Sequence, residues 1–160
     1  MSQLLDDLAA KTPAPGGGWA AAWTAAMAAA LVEMAAAFSE RDVPALRERA
    51  LTLAERELTA YVPVLEASRL PKDDSTRAGK LDAALSAAAE SPLEIARLAA
   101  EVEKLARDLS ARGNRTLEGD ANTAAELAAA ARRAAARLVE LNLSARPDDP
   151  RAAEAKQLSL

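Results

Sequence analysis

The chain has 160 residues and a net charge of −4, and it contains no cysteine and no histidine. These absences exclude disulfide bonds, thiolate metal sites and nucleophilic triads that use a histidine base. The acidic balance argues against a nucleic-acid partner, which would require a basic face. The length indicates a single domain covering residues 1–160.

Alanine dominates the apolar composition. Apolar residues make up 51% of the chain, whereas aromatic residues make up only 2%. Alanine favours helix formation and close packing of helices, but each alanine buries little apolar area. We therefore expect an all-α protein that buries part of its small-residue surface between subunits, as a homodimer.

Every strongly patterned segment predicts a helix, and none shows the alternation expected of a β-strand. Pro44 opens the third predicted helix, and Pro63 interrupts it just after Tyr61, where a kink is expected. The predicted helices cover residues 2–10, 16–40, 44–69, 76–89, 91–111 and 120–145, with room for one more turn after Pro147. This order predicts an up-and-down bundle of five to six helices.

The second predicted helix carries its largest side chains on one stripe. They recur every three or four residues, as expected of a core-facing seam: Trp19, Trp23, Met27, Leu31, Met34 and Phe38. The segment could also span a membrane, with Glu33 as its one charge, but alanine is barely favourable in lipid. A buried central helix is therefore the preferred interpretation. Asp6 and Asp7 interrupt the short N-terminal apolar run, so we expect a cytoplasmic protein without a membrane partner.

Three local signals predict helix ends. Residues 91–94 (Ser-Pro-Leu-Glu) match a capping box with proline at the first helical position. Gly113 and Asn114 match a left-handed C-cap, and Asp120 has the position of an N-cap. These structural explanations account for Glu94 and Asn114, and they compete with a functional role for Asp120.

The segment Thr-Pro-Ala-Pro-Gly-Gly-Gly-Trp at residues 12–19 is the most informative functional signal. Its glycines lie at the N-terminus of an alanine-rich helix, where free N–H groups and the helix dipole favour anions or carbonyl oxygens. Without side chains, a ligand could lie directly against the main chain. The alternative is a linker that needs unusual backbone angles, and the residues alone do not decide between the two.

Two further residues are candidates on weaker grounds. Lys72 follows Leu-Pro in a loop, although a loop lysine is usually just solvated. Tyr61 is the only tyrosine and lies at the predicted kink, where packing is a more common role than catalysis.

Taken in order, these elements resemble a known family. They are the Pro-Ala-Pro-Gly-Gly-Gly motif, Ala60-Tyr61, Leu70-Pro71-Lys72, the Pro-Leu-Glu-Ile-Ala segment from Pro92, Gly113-Asn114 and Asp120. The set resembles the cyclodeaminase/cyclohydrolase family, which includes the cyclodeaminase part of formiminotransferase-cyclodeaminase and bacterial methenyltetrahydrofolate cyclohydrolases. The resemblance runs from about Leu4 to Leu143.

The resemblance implies an enzyme with a folate-binding site in a cleft between helices at a subunit interface. Members either expel ammonia from 5-formiminotetrahydrofolate to give 5,10-methenyltetrahydrofolate, or hydrate that product to 10-formyltetrahydrofolate. Neither reaction needs a metal or redox cofactor beyond the tetrahydrofolate substrate. On this basis Asp120 is expected to relay protons, and Lys72 to hold an anionic part of folate or stabilise negative charge. The residues expected to bind substrate are Pro15, Gly16, Gly17, Gly18, Trp19, Tyr61 and Asn114.

Two positions depart from the family pattern. Trp19 stands where a serine usually follows the glycines, and Gly119 replaces the serine that usually precedes Asp120. Both changes remove a hydroxyl near the expected site. Two alternatives therefore stay open beside the enzyme: a divergent member that binds a ligand without turnover, and a purely structural helical dimer.

Overall fold

The computed structural model describes residues 2–160, with side chains from residue 3 onward, and this part of the chain is helical without strands. Its α-helices are α1 Ser2–Ala9, α2 Gly17–Ala37, α3 Leu46–Ala60, α4 Val62–Ser68, α5 Arg77–Ala88, α6 Glu90–Arg112, α7 Glu118–Asn142 and α8 Pro150–Leu158. The predicted all-α bundle is confirmed. It has more helices than predicted because the third predicted helix divides at Tyr61 and the C-terminal tail forms α8.

Helix α2 lies at the centre of the bundle, packed against α3, α6 and α7. Its buried face consists almost entirely of alanine, which allows the neighbouring helix backbones to approach closely: Ala21, Ala22, Ala25, Ala28, Ala29, Val32, Ala35 and Ala36. By length and composition α2 could cross a membrane, but half of its most apolar window is buried inside the bundle. The packing agrees with the interpretation of this segment as a core helix.

The prediction that the large side chains of α2 form the core seam is only partly correct, since Trp19 belongs to the core and Trp23 and Leu31 pack against it. Trp19 is buried, but Met27 is 51% exposed and Phe38 is 66% exposed. Trp23, Leu31 and Met34 are only partly buried. The alanine face lies inside because small side chains permit the close contacts with α6 and α7. Met27 and Phe38 consequently face outward from the single chain.

The predicted kink after Tyr61 is confirmed. Helix α3 ends at Ala60, Tyr61 is a turn residue, and α4 begins at Val62 with Pro63 in its first turn. The capping box at residues 91–94 is wrong. Helix α6 already begins at Glu90 without a side-chain cap, and Glu94 pairs instead with Arg56 at 2.6 Å.

Helix α6 ends with Gly113 as its C-cap, as predicted, but the left-handed conformation expected there and the N-cap expected at Asp120 are wrong. Gly113 has a φ of −90°, outside the left-handed region. It is needed for space, since a Cβ there would lie 2.5 Å from the Leu109 carbonyl oxygen. Asn114 instead opens a 3₁₀ turn, and its Oδ1 accepts from the N–H of Thr116 at 3.0 Å. Helix α7 therefore begins at Glu118, and Asp120 lies in its first turn.

Hydrogen bonds of Arg151 hold the C-terminal helix α8 against the bundle. The Arg151 guanidinium donates to Asp149 Oδ2 at 2.7 Å, to Ser86 Oγ at 2.7 Å and to the Ser86 carbonyl at 2.9 Å. It also contacts Glu90, at the start of α6. These bonds join α8 to the region where α5 meets α6.

Candidate functional site

The glycine segment forms the N-terminus of α2, as predicted. Gly16 is the N-cap in an extended conformation, and its carbonyl oxygen accepts the first helical bond from Ala20 at 3.0 Å. No side chain among the described residues caps this end. The N–H groups of residues 17–19 therefore remain available to a ligand.

The linker alternative for the glycines is contradicted. All six glycines fall within residues 2–160, and none has a positive φ. An unusual backbone angle is thus not the reason for glycine at these positions. The reason at Gly18 is close approach by another side chain.

A cavity of about 160 Å³ opens at this helix end. Gly16, Gly17 and Gly18 form one wall, and Glu57 and Tyr61 form the wall on α3 and its end. Asn142 contributes from the last turn of α7, where its Nδ2 donates to the Ala88 carbonyl at 3.0 Å. The cavity thus combines free backbone donors, a carboxyl group, a phenol and an amide.

A larger apolar groove adjoins this cavity. It has a volume of about 540 Å³ and runs between α1, α2 and α3 past Pro15. Trp19, which is 7% exposed, lines both spaces. The groove volume is typical of small-molecule sites, so the glycine segment separates an apolar groove from a small polar cavity.

Glu57 is held directly against the glycine segment. A Cβ added to Gly18 would lie 2.7 Å from the carboxyl carbon of Glu57 and closer still to its Oε1. Any larger residue at position 18 would therefore displace this carboxyl group. Glycine at this position permits the contact between the two.

The surroundings of Glu57 favour its protonated form. Burial raises the pKa of the Glu57 carboxyl above its ordinary value, against smaller lowering effects of Ser91 and Arg56. Ser91 lies near the carboxyl at the start of α6, and its Oγ is buried without a hydrogen-bond partner of good geometry among the described residues. The Arg56 guanidinium is engaged with Glu94. Burial thus outweighs the lowering effects of Ser91 and Arg56 on the pKa of Glu57, while the free N–H groups at the start of α2 act in the same direction as those two residues.

The structure brings six of the nine predicted site residues together. Around the cavity and its adjoining groove lie Pro15, Gly16, Gly17, Gly18, Trp19 and Tyr61. Trp19 lines both the cavity and the groove and is also buried.

The other three predicted site residues lie elsewhere in the chain. Lys72 is exposed in the loop between α4 and α5. Asn114 binds the far end of α2, where its backbone N–H donates to Ser39 Oγ at 2.9 Å. The two ends of this 21-residue helix are about 30 Å apart. Asp120 begins α7, whereas Asn142 ends it, about 33 Å away at 1.5 Å per residue.

Glu57 is the residue that the sequence analysis missed. A sequence signal for it existed, because Glu57 lies four residues before Tyr61 and therefore on the same helix face. Its contact with Gly18 joins α2 to α3, and no local pattern reveals a contact of that kind.

Comparisons with known proteins identify the family and the fold of the chain. The family model described as formiminotransferase-cyclodeaminase matches residues 1–158. A methenyltetrahydrofolate cyclohydrolase from Methylorubrum extorquens is 35% identical over an alignment covering 87% of this chain and 76% of that protein. The fold is similar to that of a formiminotetrahydrofolate cyclodeaminase from Thermotoga maritima, with a TM-score of 0.83 and 24% identity, over 99% of this chain and 85% of that one. The last match is evidence for the fold alone.

Proposed function

Since the chain belongs to the formiminotransferase-cyclodeaminase family, we propose that it is a folate-dependent enzyme that hydrolyses 5,10-methenyltetrahydrofolate to 10-formyltetrahydrofolate. The observation that carries this proposal is the family glycine segment, which lines a polar cavity and an apolar groove at a free helix N-terminus. Hydrolysis is preferred over deamination because the 35% identical relative is named a cyclohydrolase. Deamination of 5-formiminotetrahydrofolate is the second candidate.

The two adjoining spaces suit the two chemical parts of a reduced folate. The apolar groove beside Trp19 can cover an aromatic ring, and the free N–H groups of residues 17–19 can bind a carbonyl oxygen or carboxylate. Lys72, on a loop near the end of α4, would attract an anionic portion of the substrate. Both reactions are additions and eliminations at one carbon atom, so no metal or redox cofactor is required beyond the folate itself.

We further propose that the working protein is a homodimer formed through the exposed face of α2 that carries Met27 and Phe38. These two residues are 51% and 66% exposed, and they are among the large apolar side chains that the single chain leaves uncovered. Apolar patches of this kind commonly mark protein interfaces. The partners are thus a second copy of the chain and a small-molecule folate, in the cytoplasm, with no nucleic acid or membrane involved.

An antiparallel pairing of α2 would also bring the glycine segment of one chain close to Asn114 and Asp120 of the other. In a twofold dimer whose symmetry axis is perpendicular to α2, the glycine end of one α2 lies against the far end of the other. That end carries Asn114, with Asp120 nearby at the start of α7. Asp120 of the partner subunit could then relay a proton from the attacking water, and the partner's Asn114 could contact substrate.

The test is turnover by the purified wild-type protein. Loss of the methenyl chromophore should be faster with enzyme than without it, and ammonia release from 5-formiminotetrahydrofolate tests the second candidate. Reduced-folate binding is followed through Trp19 fluorescence in a Trp23→Phe variant, because the two rings lie only 5.5 Å apart. Binding without turnover would favour the non-catalytic alternative, which the replacements at Trp19 and Gly119 motivate. If the protein neither binds the folate nor turns it over, the remaining alternative is a structural dimer.

A further inference from the structure

The proposed reaction needs two proton-transfer groups. One must take a proton from the attacking water, or from N10 in the deamination, and the other must protonate the nitrogen that leaves the carbon. Asp120 of the partner subunit is proposed for the first task. The second task requires a group that keeps its proton until the carbon–nitrogen bond breaks.

We propose that Glu57 donates the proton to the leaving nitrogen of the folate substrate; this inference rests on the proposed function. Its carboxyl is the acidic group inside the cavity at the glycine segment, pressed against Gly18. A substrate atom bound to the free N–H groups of residues 17–19 would lie within reach of this carboxyl. Among the described residues that line this cavity, Glu57 alone carries a carboxyl, while Asp7 and Glu55 line the adjoining groove.

Among the polar groups at the cavity, the Glu57 carboxyl is the one best suited to donate a proton. Tyr61 shares the cavity, but it is 44% exposed, whereas the Glu57 carboxyl lies directly against Gly18. From α3, Arg56 acts on Glu57 only weakly, since its guanidinium is paired with Glu94 of α6. Ser91 of α6 and Asn142 of α7 are neutral, and the N-terminus of α2 contributes only backbone donors. Burial raises the pKa of Glu57, which keeps the carboxyl protonated to higher pH than an exposed one.

The proton balance is complete without another reactant. In the hydrolysis, the water oxygen bonds to the methenyl carbon and Asp120 takes one water proton. The carbon–N5 bond then breaks, its electron pair goes to N5, and Glu57 protonates N5. The remaining hydroxyl proton leaves as the formyl C=O forms, and Asp120 returns its proton to Glu57, so one proton is released to solvent. In the deamination, N10 bonds to the formimino carbon and Asp120 takes the N10 proton. The bond from that carbon to the leaving nitrogen then breaks with its electron pair going to the nitrogen, which departs as ammonia with one proton from Asp120 and one from Glu57. Glu57 regains its proton from solvent, so this reaction consumes one proton.

The experiment compares wild type, Glu57→Gln and Glu57→Asp with Glu48→Gln as the matched control. Glu48 is an exposed glutamate in the first turn of the same helix. Each protein is assayed for loss of the methenyl chromophore across the pH range, and its binding of 5-formyltetrahydrofolate is measured as a probe that is not consumed. Melting temperatures are recorded for all four proteins.

Glu57→Gln should lower kcat about 100-fold or more, the usual scale for a general acid, while the probe still binds. The wild-type rate should fall as pH rises through the pKa of Glu57, and the variant should lack this limb. Glu57→Asp should retain part of the rate, and Glu48→Gln all of it. The proton-donor role is overturned by a Glu57→Gln variant that is folded and keeps the wild-type rate and pH profile.

Two further outcomes are decisive. A wild type that binds the probe but turns over neither folate substrate contradicts the proposed function, and the role of Glu57 falls with it. Should Glu57→Gln fail to fold, carbon-13 NMR of the wild-type carboxyl replaces it. The Glu57 titration must then coincide with the limb of the rate profile, and a mismatch overturns the inference.

Discussion

At the scale of single residues, the contact between Gly18 and Glu57 is the tightest feature of the candidate site. A methyl group at position 18 would overlap the end of the Glu57 side chain. That end can swing away at small energetic cost because it is flexible. Replacing Gly18 should therefore move the Glu57 carboxyl strongly but change the stability of the fold only slightly.

We predict that Gly18→Ala lowers turnover with little change in melting temperature. The displaced carboxyl would reach solvent, so its pKa should return toward the ordinary range, measurable by NMR titration. Gly17→Ala is the matched comparison, because its Cβ would lie 4.0 Å from Leu138 Cδ1 and would not touch Glu57. Its effect on turnover should be smaller.

Gly79→Ala controls for the general effect of replacing glycine in a helix. No atom lies within 4 Å of the added Cβ in α5. This variant should be about 0.5–1 kcal/mol more stable, since alanine favours helix over glycine, and fully active. A Gly18→Ala enzyme as active as Gly79→Ala would show that the position of Glu57 is unimportant.

At the scale of helices, the attachment of α8 depends on a few charged hydrogen bonds. We predict that Arg151→Ala destabilises the protein by about 2 kcal/mol, because hydrogen bonds to Asp149, Ser86 and Glu90 are lost together. Amide hydrogen exchange should quicken in α8 first. Arg137→Ala is the control, since Arg137 pairs only with Glu140 within one helix, and it should change stability by less than about 0.5 kcal/mol.

The same attachment should weaken in acid. Arg151 and its backbone lower the pKa of Asp149 to about 2 from its ordinary value of 3.8. A lowered carboxyl pKa stabilises the fold above the ordinary value, and that contribution is lost as pH falls toward 2. The difference in melting temperature between wild type and Arg151→Ala should therefore shrink from pH 4 to pH 2. A constant difference would contradict this account.

The helices were predictable from sequence, but their caps were not. Periodicity and alanine content predict α1, α2 and α5 to within a few residues, because these signals are local. The caps failed because α6 begins at Glu90 and α7 at Glu118, each ahead of its apparent capping residue. The start of α7 at Glu118 follows a 3₁₀ turn that Asn114 opens. Asn114 is itself held by a hydrogen bond to Ser39, beyond the end of α2.

The candidate site was predictable only in part, for reasons of tertiary geometry. The glycine segment is a continuous motif, so its place at a helix N-terminus follows from sequence. Glu57 was missed because a charged residue on an amphipathic helix resembles an ordinary solvated position. The sequence order of Asn114 and Asp120 also does not reveal that they lie some 30 Å from the glycine segment.

At the scale of the whole molecule, a site shared between subunits predicts complementation. An active site would combine Glu57 of one chain with Asp120 of the partner subunit. Mixing inactive Glu57→Gln and Asp120→Asn proteins should then restore activity, because each heterodimer contains one unmodified site. After random exchange, half the dimers are heterodimers, so about a quarter of wild-type activity is expected. Unchanged inactivity after proven subunit exchange would place both residues in one chain's site or in none.

The orientation of the dimer can be tested separately, because the chain has no cysteine of its own. Light scattering at micromolar concentration should first give at least twice the chain mass of 16.7 kDa. Met27 lies at the midpoint of α2 and is 51% exposed. In an antiparallel pairing centred there, two copies of residue 27 meet, and a Met27→Cys variant should form a disulfide-linked dimer under mild oxidation.

A Phe38→Cys variant distinguishes antiparallel from parallel pairing. Residue 38 lies about 17 Å along the helix axis from residue 27, so its two copies would be about 33 Å apart in the antiparallel dimer. Disulfides require Cα atoms within about 7 Å, and Phe38→Cys should therefore remain uncrosslinked. Crosslinking at both positions would indicate parallel helices, which cannot bring the partner's Asp120 to the glycine segment. A monomeric wild type would remove the shared site altogether and leave Glu57 as the carboxyl at the cavity.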